Sequence, residues 1–250
     1  MMLHTIKSKK YLFIGIGLMI SLWWGLSIIL NNEIILPSPP ETVRSLKSIV
    51  TEEFFSDTLS ATLKRCALSF GISLVLALIA GIAAALNRKV FQLFIPVTAI
   101  LKAVPTIAII VLALIWLNNE QAPVLIASIV IFPVFYEAVI NGVTGINGDI
   151  ISMTQIYRVR TRDAVRYVYL PNILKNILGV LSSVIGLSLK MVIGGEVLGQ
   201  PRHGIGTNIQ IEKMQLNTPS VFGWIIILIT LVLLTEYVIR LLTKKWRTFD

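Results

Sequence analysis

The sequence is short of the residues on which most enzyme chemistry depends. Its 250 residues include one cysteine, Cys66, and two histidines, His4 and His203, which stand far apart. A single cysteine cannot form an internal disulfide, and two isolated histidines without companions at ligand spacing do not make a metal site. No phosphate-binding loop, nucleophile elbow or His-Glu-x-x-His motif is present. We therefore expect no catalytic residue, metal site or cofactor in this chain, and in particular no ATP site of its own.

Charged residues are also scarce. They make up 14% of the sequence, hydrophobic residues make up 55%, and the mean hydropathy is +0.81. This composition excludes an ordinary soluble domain and indicates an integral membrane protein whose first partner is the lipid bilayer. The net charge of +9 does not indicate nucleic-acid binding, because the basic residues are scattered between apolar runs instead of being collected on one face.

Six long apolar blocks divide the chain. They cover residues 11–30, 59–86, 92–117, 123–145, 172–196 and 220–243. Lipid offers the backbone no hydrogen-bond partners, so each block is predicted to be an α-helix, and the first is long enough to be an uncleaved span. The predicted fold class is an all-α membrane protein with six transmembrane helices. We expect residues 1–58 to form an N-terminal helix with an outer interfacial segment and residues 59–250 to form the core.

The distribution of Lys and Arg predicts the orientation. Fourteen of them fall in four clusters, at 7–10, 88–89, 158–175 and 240–247, and only four lie in the segments that alternate with these. Since basic residues accumulate on the cytoplasmic side, both termini and the polar loop 146–171 are predicted to be cytoplasmic.

The loop 146–171 contains, at residues 149–171, the only long polar and basic interval between two apolar blocks. Asp149 and Thr161 are predicted to N-cap two short helices, and Leu170-Pro171 is predicted to end the second, because a proline disfavours helical backbone at the residue before it. The pattern predicts a helix-loop-helix that lies on the membrane surface.

Several ionisable residues fall within the apolar blocks. Lys102, Glu137 and Lys190 are costly in lipid, so each should face an interior, a partner or water. The third block contains Pro96 and, about three turns on, Pro105, so it is predicted to be bent or broken near mid-membrane, and broken helices tend to line cavities. Lys102, Pro105, Glu137, Lys190 and Glu196 are thus candidates for the lining of a translocation path. The alternative is that the lysines snorkel or pair with Glu137 or Glu196, and that Glu196 caps the loop after it.

Lys64 and Arg65, near the predicted outer start of the second block, are interpreted as interfacial anchors.

A series of short motifs resembles the permease subunits of bacterial ATP-binding-cassette importers, in the nitrate/sulfonate/taurine branch. The end of the polar loop, Val168-Tyr169-Leu170-Pro171, is similar to the Ile-x-Leu-Pro of that family's coupling loop. Ser152-Met153-Thr154 stands where the family has Glu-Ala-Ala, and Arg158 stands where it has glycine. The other matches, in chain order, are Leu36-Pro37-Ser38-Pro39, Thr62-Leu63-Lys64-Arg65, Lys102 to Ala108, Glu196-Val197-Leu198 and Gly204-Ile205-Gly206.

The resemblance implies a type I importer permease in the bacterial inner (cytoplasmic) membrane. Its implied partners are a cytoplasmic ABC ATPase dimer that holds ATP-Mg, a second permease copy and an extracytoplasmic substrate-binding protein. The residues it implies for ATPase coupling are Ser152, Met153, Thr154, Gln155, Tyr157, Arg158, Arg160, Thr161, Arg162, Leu170 and Pro171. The arginines would add charge contacts to the ATPase, and the alternative is that they serve topology and anionic lipid.

The sequence agrees with more than one class of transported solute. Lysines that line the path would favour a small sulfonate-like or nitrate-like anion. The same architecture with paired lysines would suit a neutral heterocycle, such as a pyrimidine thiamin precursor. A function of another class, an ion-coupled carrier or channel without an ATPase, also agrees with buried Lys and Glu.

Overall fold

The computed structural model describes the backbone of residues 2–244 and, within it, the side chains of residues 11, 14–239 and 241. All the regular structure in this part is helical. The elements are α1 Met2–Leu30, α2 Pro39–Thr51, α3 Phe55–Leu86, α4 Arg88–Ala103, α5 Thr106–Trp116, α6 Ala122–Thr144, α7 Gly148–Ile156, α8 Thr161–Ala164, a π-helical turn Val165–Tyr169, α9 Leu170–Gly199, α10 Ile205–Met214 and α11 Thr218–Lys244. The side chains at 7–10 and residues 245–247, which belong to two of the predicted basic clusters, lie outside the described parts.

The helices confirm the all-α membrane fold. Four of the described helical stretches, 55–86, 122–144, 161–199 and 218–239, are long and apolar enough to cross a bilayer, and α4 with α5 qualifies as a fifth, bent span. The apolar part of α1 that can be assessed, Ile14–Leu30, is shorter. Each of the six predicted blocks therefore coincides with a helix or a helix pair, and the count of six crossings stays a prediction.

The chain divides into two compact units, one of residues 1–57 with 208–229 and the other of residues 58–207 with 230–250. In the first unit the proline-rich corner before α2 is held by α1. The Trp23 indole N–H donates to the Pro37 carbonyl at 3.0 Å, and the Ser27 hydroxyl donates to the Leu36 carbonyl at 3.2 Å. Trp23 also stacks on Phe222 of α11, with ring centroids 5.7 Å apart. These contacts explain how a segment without regular structure keeps a defined path.

In the second unit, α6 and α9 pack antiparallel through small residues. A Cβ added at Gly142 would lie 2.6 Å from the Ile173 Cα, and one added at Gly195 would lie 2.9 Å from the Pro123 Cα. The two contacts stand at opposite ends of the pair, so the backbones touch along its whole length. Close approach of this kind stabilises helices in a bilayer, where water supplies no hydrophobic drive between them.

The helix α3 packs on this pair with a polar face. Thr58, Thr62, Arg65, Ser69 and Ser73 recur every three or four residues and are all buried. The Ser73 hydroxyl donates to the Ser128 carbonyl at 2.7 Å, and the hydroxyls of Ser69 and Ser188 lie 3.0 Å apart. Interhelical hydrogen bonds thus supplement van der Waals packing in the core of the unit.

The third apolar block is broken, as predicted. α4 ends at Ala103 and α5 begins at Thr106, and their axes differ by 99°. Val104 is extended, with ψ 127°, which is the backbone that a residue before proline prefers. Pro96, in contrast, lies inside α4 without ending it.

Candidate functional site

The polar loop forms two short helical segments, but their caps differ from the prediction. Asn147, and not Asp149, is the N-cap of α7, because its side-chain oxygen accepts from the Asp149 amide at 2.9 Å. Asp149 lies inside the first turn, where its charge complements the helix dipole. Thr161 is the first residue of α8, and the residue at the N-cap is Arg160, whose side chain makes no capping hydrogen bond. The predicted caps at Asp149 and Thr161 were therefore wrong, because in each case the helix begins earlier than the pattern indicated.

The predicted end at Leu170-Pro171 was also wrong. The chain stays helical from Thr161 to Gly199, and the Leu170 amide donates to the carbonyl of Val165 five residues earlier. Pro171 has no N–H to close an α-helical turn onto the carbonyl four residues before it. The widened π turn directly ahead of Pro171 accommodates this interruption, so the helix continues where a regular one would break.

Arg158 occupies a left-handed turn between α7 and α8. Its φ is +49°, its amide donates to the Gln155 carbonyl at 3.1 Å, and the next amide, of Val159, donates to the Thr154 carbonyl at 2.9 Å. This pair of bonds is a Schellman motif, in which the left-handed residue is most often glycine. The position at which the resemblance expects glycine is thus the position at which the backbone favours it, and here an arginine adopts that backbone.

The side chains of the predicted coupling residues that precede α9 are exposed, with one exception. Met153 is 56% exposed and Tyr157 is 74% exposed, and the side chains of Ser152, Gln155, Arg158, Arg160, Thr161 and Arg162 are exposed as well. Thr154 alone of the α7 set is half-buried. A cleft of about 1370 Å³ separates the start of α7 from the start of α9, with Ile150, Arg166, Leu174 and Lys175 in its lining. The segment is a ridge of arginines and apolar side chains beside an open groove.

The structure brings Lys102 and Glu137 together. The Lys102 ammonium forms an ion pair with the Glu137 carboxylate, which joins the last turn of α4 to the middle of α6. Both side chains are about half-exposed, at 48% and 51%. Pro105, two residues beyond α4, is the N-cap of α5 and marks the break. Lys190 is exposed on α9 and has no ion-pair partner among the described residues.

Glu196 lies elsewhere, in a buried network with α3. Its side chain has no solvent exposure, and it accepts from Arg65 Nη1 at 2.6 Å and from the Thr62 hydroxyl at 2.9 Å. Its second oxygen accepts from the Gly206 amide at 3.0 Å. The interpretation of Arg65 as an interfacial anchor was wrong, because Arg65 is only 6% exposed and neutralises a buried carboxylate. Glu196 does accept from the loop that follows it, as one of the two alternatives proposed.

Arg65 also connects Glu196 to the loop between α5 and α6. Its Nη2 donates to Glu120 Oε2 at 2.5 Å, and its Nη1 donates to the His203 carbonyl at 2.8 Å. The other oxygen of Glu120 accepts from the Arg202 amide at 2.8 Å. Partial burial by itself raises the pKa of Glu120, but the hydrogen bonds from Arg65 and Arg202 outweigh it, so the pKa lies below its ordinary value. One guanidinium thus joins α3, α9 and two loops.

The glycines of the Gly204-Ile205-Gly206 motif make this network possible. A Cβ on Gly204 would lie 2.7 Å from the Glu196 carboxyl carbon, and one on Gly206 would lie 2.4 Å from the Ile193 carbonyl oxygen. The backbone can therefore reach the buried carboxylate only where no side chain intervenes. The Ile205 amide uses the same approach to donate to the Thr62 hydroxyl at 3.0 Å.

Sequence reasoning missed Thr62, Arg65 and Glu120 as members of a site. The available signal was the recurrence of polar residues every three or four positions in the apolar helix α3, from Thr58 to Ser73. A polar stripe of this kind in an apolar span indicates an internal face. The partner Glu120 carried no comparable signal, because a loop carboxylate is ordinary.

Comparisons with known proteins identify the family of this chain. The family described as "Binding-protein-dependent transport system inner membrane component" matches residues 73–248. The chain is 26% identical over 239 residues to the "Putative aliphatic sulfonates transport permease protein SsuC" of Bacillus subtilis, which covers 92% of this chain and 85% of that protein. It is 24% identical over 237 residues to the "Taurine transport system permease protein TauC" of Escherichia coli, with 92% and 86% covered. The multi-pass helical chain with its exposed ridge between α6 and α9 therefore belongs to the family of inner membrane components of binding-protein-dependent transport systems.

Proposed function

We propose that this chain is the permease subunit of an ATP-driven importer that takes up a small sulfonate-like solute from an external binding protein. Family membership supports the class of transport system, and the two relatives with sulfonate and taurine in their names favour the cargo. The observation that carries the coupling role is the exposed ridge of α7, the Arg158 turn and α8. A bundle that must follow an ATPase needs such a feature, because rigid-body motion passes between proteins through a docked element.

In this proposal the ridge docks on a cytoplasmic ATPase dimer that binds ATP-Mg. Met153 and Tyr157 supply apolar contact area, and Arg158, Arg160 and Arg162 supply charge contacts to acidic residues of the ATPase. Both termini lie on the same side as the ridge, because the basic residues are concentrated in those segments. A second copy of the chain completes the pore, so that each copy presents one ridge.

We further propose that the path between the two copies is lined near the break at Pro105. Lys102, Glu137 and Lys190 are ionisable, exposed in the isolated chain and set in apolar helices, which is the distribution expected for groups that face water inside an assembly. Glu196 closes the opposite end of its unit from the ridge, through its bonds to the loop at 202–206. There it would set the shape of the outer surface that receives the binding protein.

The experiment is to co-express the chain with its ATPase and binding protein and to measure uptake into proteoliposomes. We expect the permease to co-purify with the ATPase, and uptake of a small sulfonate to require ATP and the binding protein but to survive collapse of the proton gradient. Uptake that persists without the ATPase would favour the ion-coupled carrier or channel. Uptake of a thiamin precursor but of no sulfonate would favour the neutral heterocycle.

A charge-reversal pair tests the ridge itself. Arg158→Glu with Arg160→Glu should abolish cargo-stimulated ATP hydrolysis while the protein remains in the membrane. The control is Arg44→Glu with Lys47→Glu, which makes the same change in charge on the exposed face of α2. Stimulation that survives Arg158→Glu with Arg160→Glu would show that the arginines serve only topology. An equal loss of stimulation in the Arg44→Glu, Lys47→Glu control would show that the effect of charge reversal is not specific to the ridge.

Orientation is tested by labelling in a Cys66→Ser background. A cysteine at Gln121 should react with an impermeant reagent from outside the cell, and a cysteine at Arg160 should not. The reverse pattern would overturn the proposed orientation and with it the assignment of the ridge to the ATPase side.

A further inference from the structure

A pocket of about 340 Å³ lies between α4 and α6, next to the Lys102–Glu137 pair. Its lining consists of Phe91, Ile95, Thr98, Tyr136, Glu137, Ile140 and Asn141. Four of these seven side chains carry polar groups, although both helices are apolar segments of the membrane-embedded part of the chain. The volume is at the lower end of the range for small-molecule sites.

One polar atom at this pocket has no partner within the chain. Tyr136 is 4% exposed, and its hydroxyl is the one buried side-chain oxygen or nitrogen in the described residues that makes no hydrogen bond. The ring is held in place by stacking, with the centroids of Phe94 and Phe132 at 5.3 Å and 5.9 Å. A buried hydroxyl without a partner is unfavourable, and an external group that bonds to it would remove that penalty.

The Lys102–Glu137 pair is suited to exchange with a ligand. Both partners are about half-exposed in the isolated chain, and on the proposed water-filled path water would screen their ion pair, which would then contribute little to stability. Opening it costs correspondingly little. Because Glu137 lines the pocket and Lys102 adjoins it, an opened pair would present one negative and one positive group to a solute in the pocket.

We infer that this pocket is a cargo subsite for a small zwitterion, specifically a short aminoalkanesulfonate, whose ammonium binds Glu137 and whose sulfonate binds Lys102. The inference rests on the proposed transport function and names the class of its cargo. The Tyr136 hydroxyl and the Asn141 amide supply further hydrogen bonds. A zwitterion satisfies both members of the opened pair at once. A simple anion would bind Lys102 but leave Glu137 unpaired beside a second negative charge, and a neutral heterocycle would offer no charge to either member of an opened pair, so it would leave the pair closed.

The test is protection of a cysteine in the pocket. In a Cys66→Ser background, Ile95→Cys places a thiol in the lining without removing a polar group, and Leu93→Cys is the control on the same helix, exposed but outside the lining. The purified complex of permease and ATPase is treated with a methanethiosulfonate reagent in the presence of 2-aminoethanesulfonate, ethanesulfonate or β-alanine. We expect 2-aminoethanesulfonate to slow labelling at Ile95→Cys and ethanesulfonate to have little effect, with labelling at Leu93→Cys unchanged.

Substitutions in the pocket then locate the contacts. Adding Glu137→Gln or Tyr136→Phe to the Ile95→Cys protein should raise the half-protecting concentration about tenfold or more, the range for hydrogen bonds to charged groups. Tyr237→Phe, which removes a hydroxyl from an exposed position of α11, should not change it. Co-purification with the ATPase and a normal elution profile establish that each variant is folded.

Each result decides the inference. Equal protection by ethanesulfonate would overturn the zwitterion, stronger protection by β-alanine would replace the sulfonate with a carboxylate, and no protection by any probe would overturn the subsite. Uptake by the unsubstituted complex is measured on the same preparation. Uptake without protection refutes only the pocket, whereas protection without ATP-dependent uptake refutes the proposed transport function and leaves the binding site standing.

Discussion

Replacing Arg65 with methionine removes the cation that is paired with the fully buried carboxylate of Glu196. Glu196 would keep the Thr62 hydroxyl and the Gly206 amide as donors but would carry an uncompensated charge. Breaking a buried ion pair by removing one partner costs about 3–5 kcal/mol. The lost bond to Glu120, whose side chain is 53% exposed, adds at most about 1 kcal/mol, because exposed pairs are screened.

The assay is thermal unfolding of the purified protein in detergent. For a chain of this length, 1 kcal/mol corresponds to roughly 2–4 °C in Tm, so a total loss of about 3–6 kcal/mol in Arg65→Met should lower Tm by about 6–24 °C. The neighbouring Lys64 is exposed, and Lys64→Met is the matched control, with an expected change of less than about 0.5 kcal/mol. The two substitutions remove equal charge one residue apart, so the difference between them measures the buried network.

A double variant separates the ion pair from loss of packing. Arg65→Met with Glu196→Gln removes both charges but keeps an amide oxygen that can accept from the Gly206 amide. We expect it to be more stable than Arg65→Met alone, because the remaining carboxylate no longer has to be buried without a cation. A Tm for Arg65→Met within 2 °C of the Lys64→Met control, or a double variant as unstable as the sum of the singles, would refute the assignment of the network.

Three further predictions concern the loops. The pKa of Glu120 is lowered in the folded protein, so its contribution to stability is present above the ordinary value of 4.5 and is lost as the pH falls through the lower, folded-state pKa. Glu120→Gln should therefore lower the free energy of unfolding at pH 7 by less than about 1 kcal/mol. In a plot of Tm against pH, the variant should lose less Tm than the unsubstituted protein as the pH falls. Arg158→Gly should leave Tm unchanged or higher, because glycine adopts the left-handed backbone without the cost that arginine carries there. Arg158→Val should lower Tm, because a β-branched residue is strained more than arginine at positive φ, and a lower Tm for the glycine variant would contradict the turn geometry. Gly206→Ala should destabilise the protein markedly because its Cβ would meet the Ile193 carbonyl at 2.4 Å, and Gly179→Ala on α9, with open space around the added Cβ, should be neutral or stabilising in the same melt.

The turn at Arg158 shows how a motif can be altered in sequence and kept in geometry. The resemblance expects glycine there, and the sequence has arginine. The backbone is nevertheless left-handed, at φ +49°, and both Schellman hydrogen bonds are formed. A single residue in this conformation costs only about 1–2 kcal/mol, which the neighbouring helices can offset. An altered residue at such a position therefore does not exclude the turn.

The sequence by itself determined the class of protein, the helices and the interruption of the third apolar block, but not which of its two prolines, Pro96 or Pro105, ends the helix. Long apolar runs must be helical in lipid, and a proline disfavours helical backbone at the residue before it, so these features follow from local rules that need no partner. The coincidence of all six predicted blocks with helices, and of the third with a pair bent by 99°, reflects this. The family resemblance could also be identified from the sequence, because it depends on the order and spacing of short motifs along the chain.

Only the tertiary structure decided which charges meet. Lys102, Lys190, Glu137 and Glu196 were equivalent in the sequence, as ionisable residues in apolar blocks. In the folded chain Lys102 forms an ion pair with Glu137, Arg65 forms an ion pair with Glu196, and Lys190 is exposed on α9. The physical reason is that a pair forms where two helices bring side chains of opposite charge within about 4 Å, and that distance depends on how closely the backbones approach. In this protein the close approach depends on glycines: Gly142 and Gly195 lie where α6 and α9 touch, and Gly206 lies beside Glu196. No local sequence pattern encodes which residues these glycines contact.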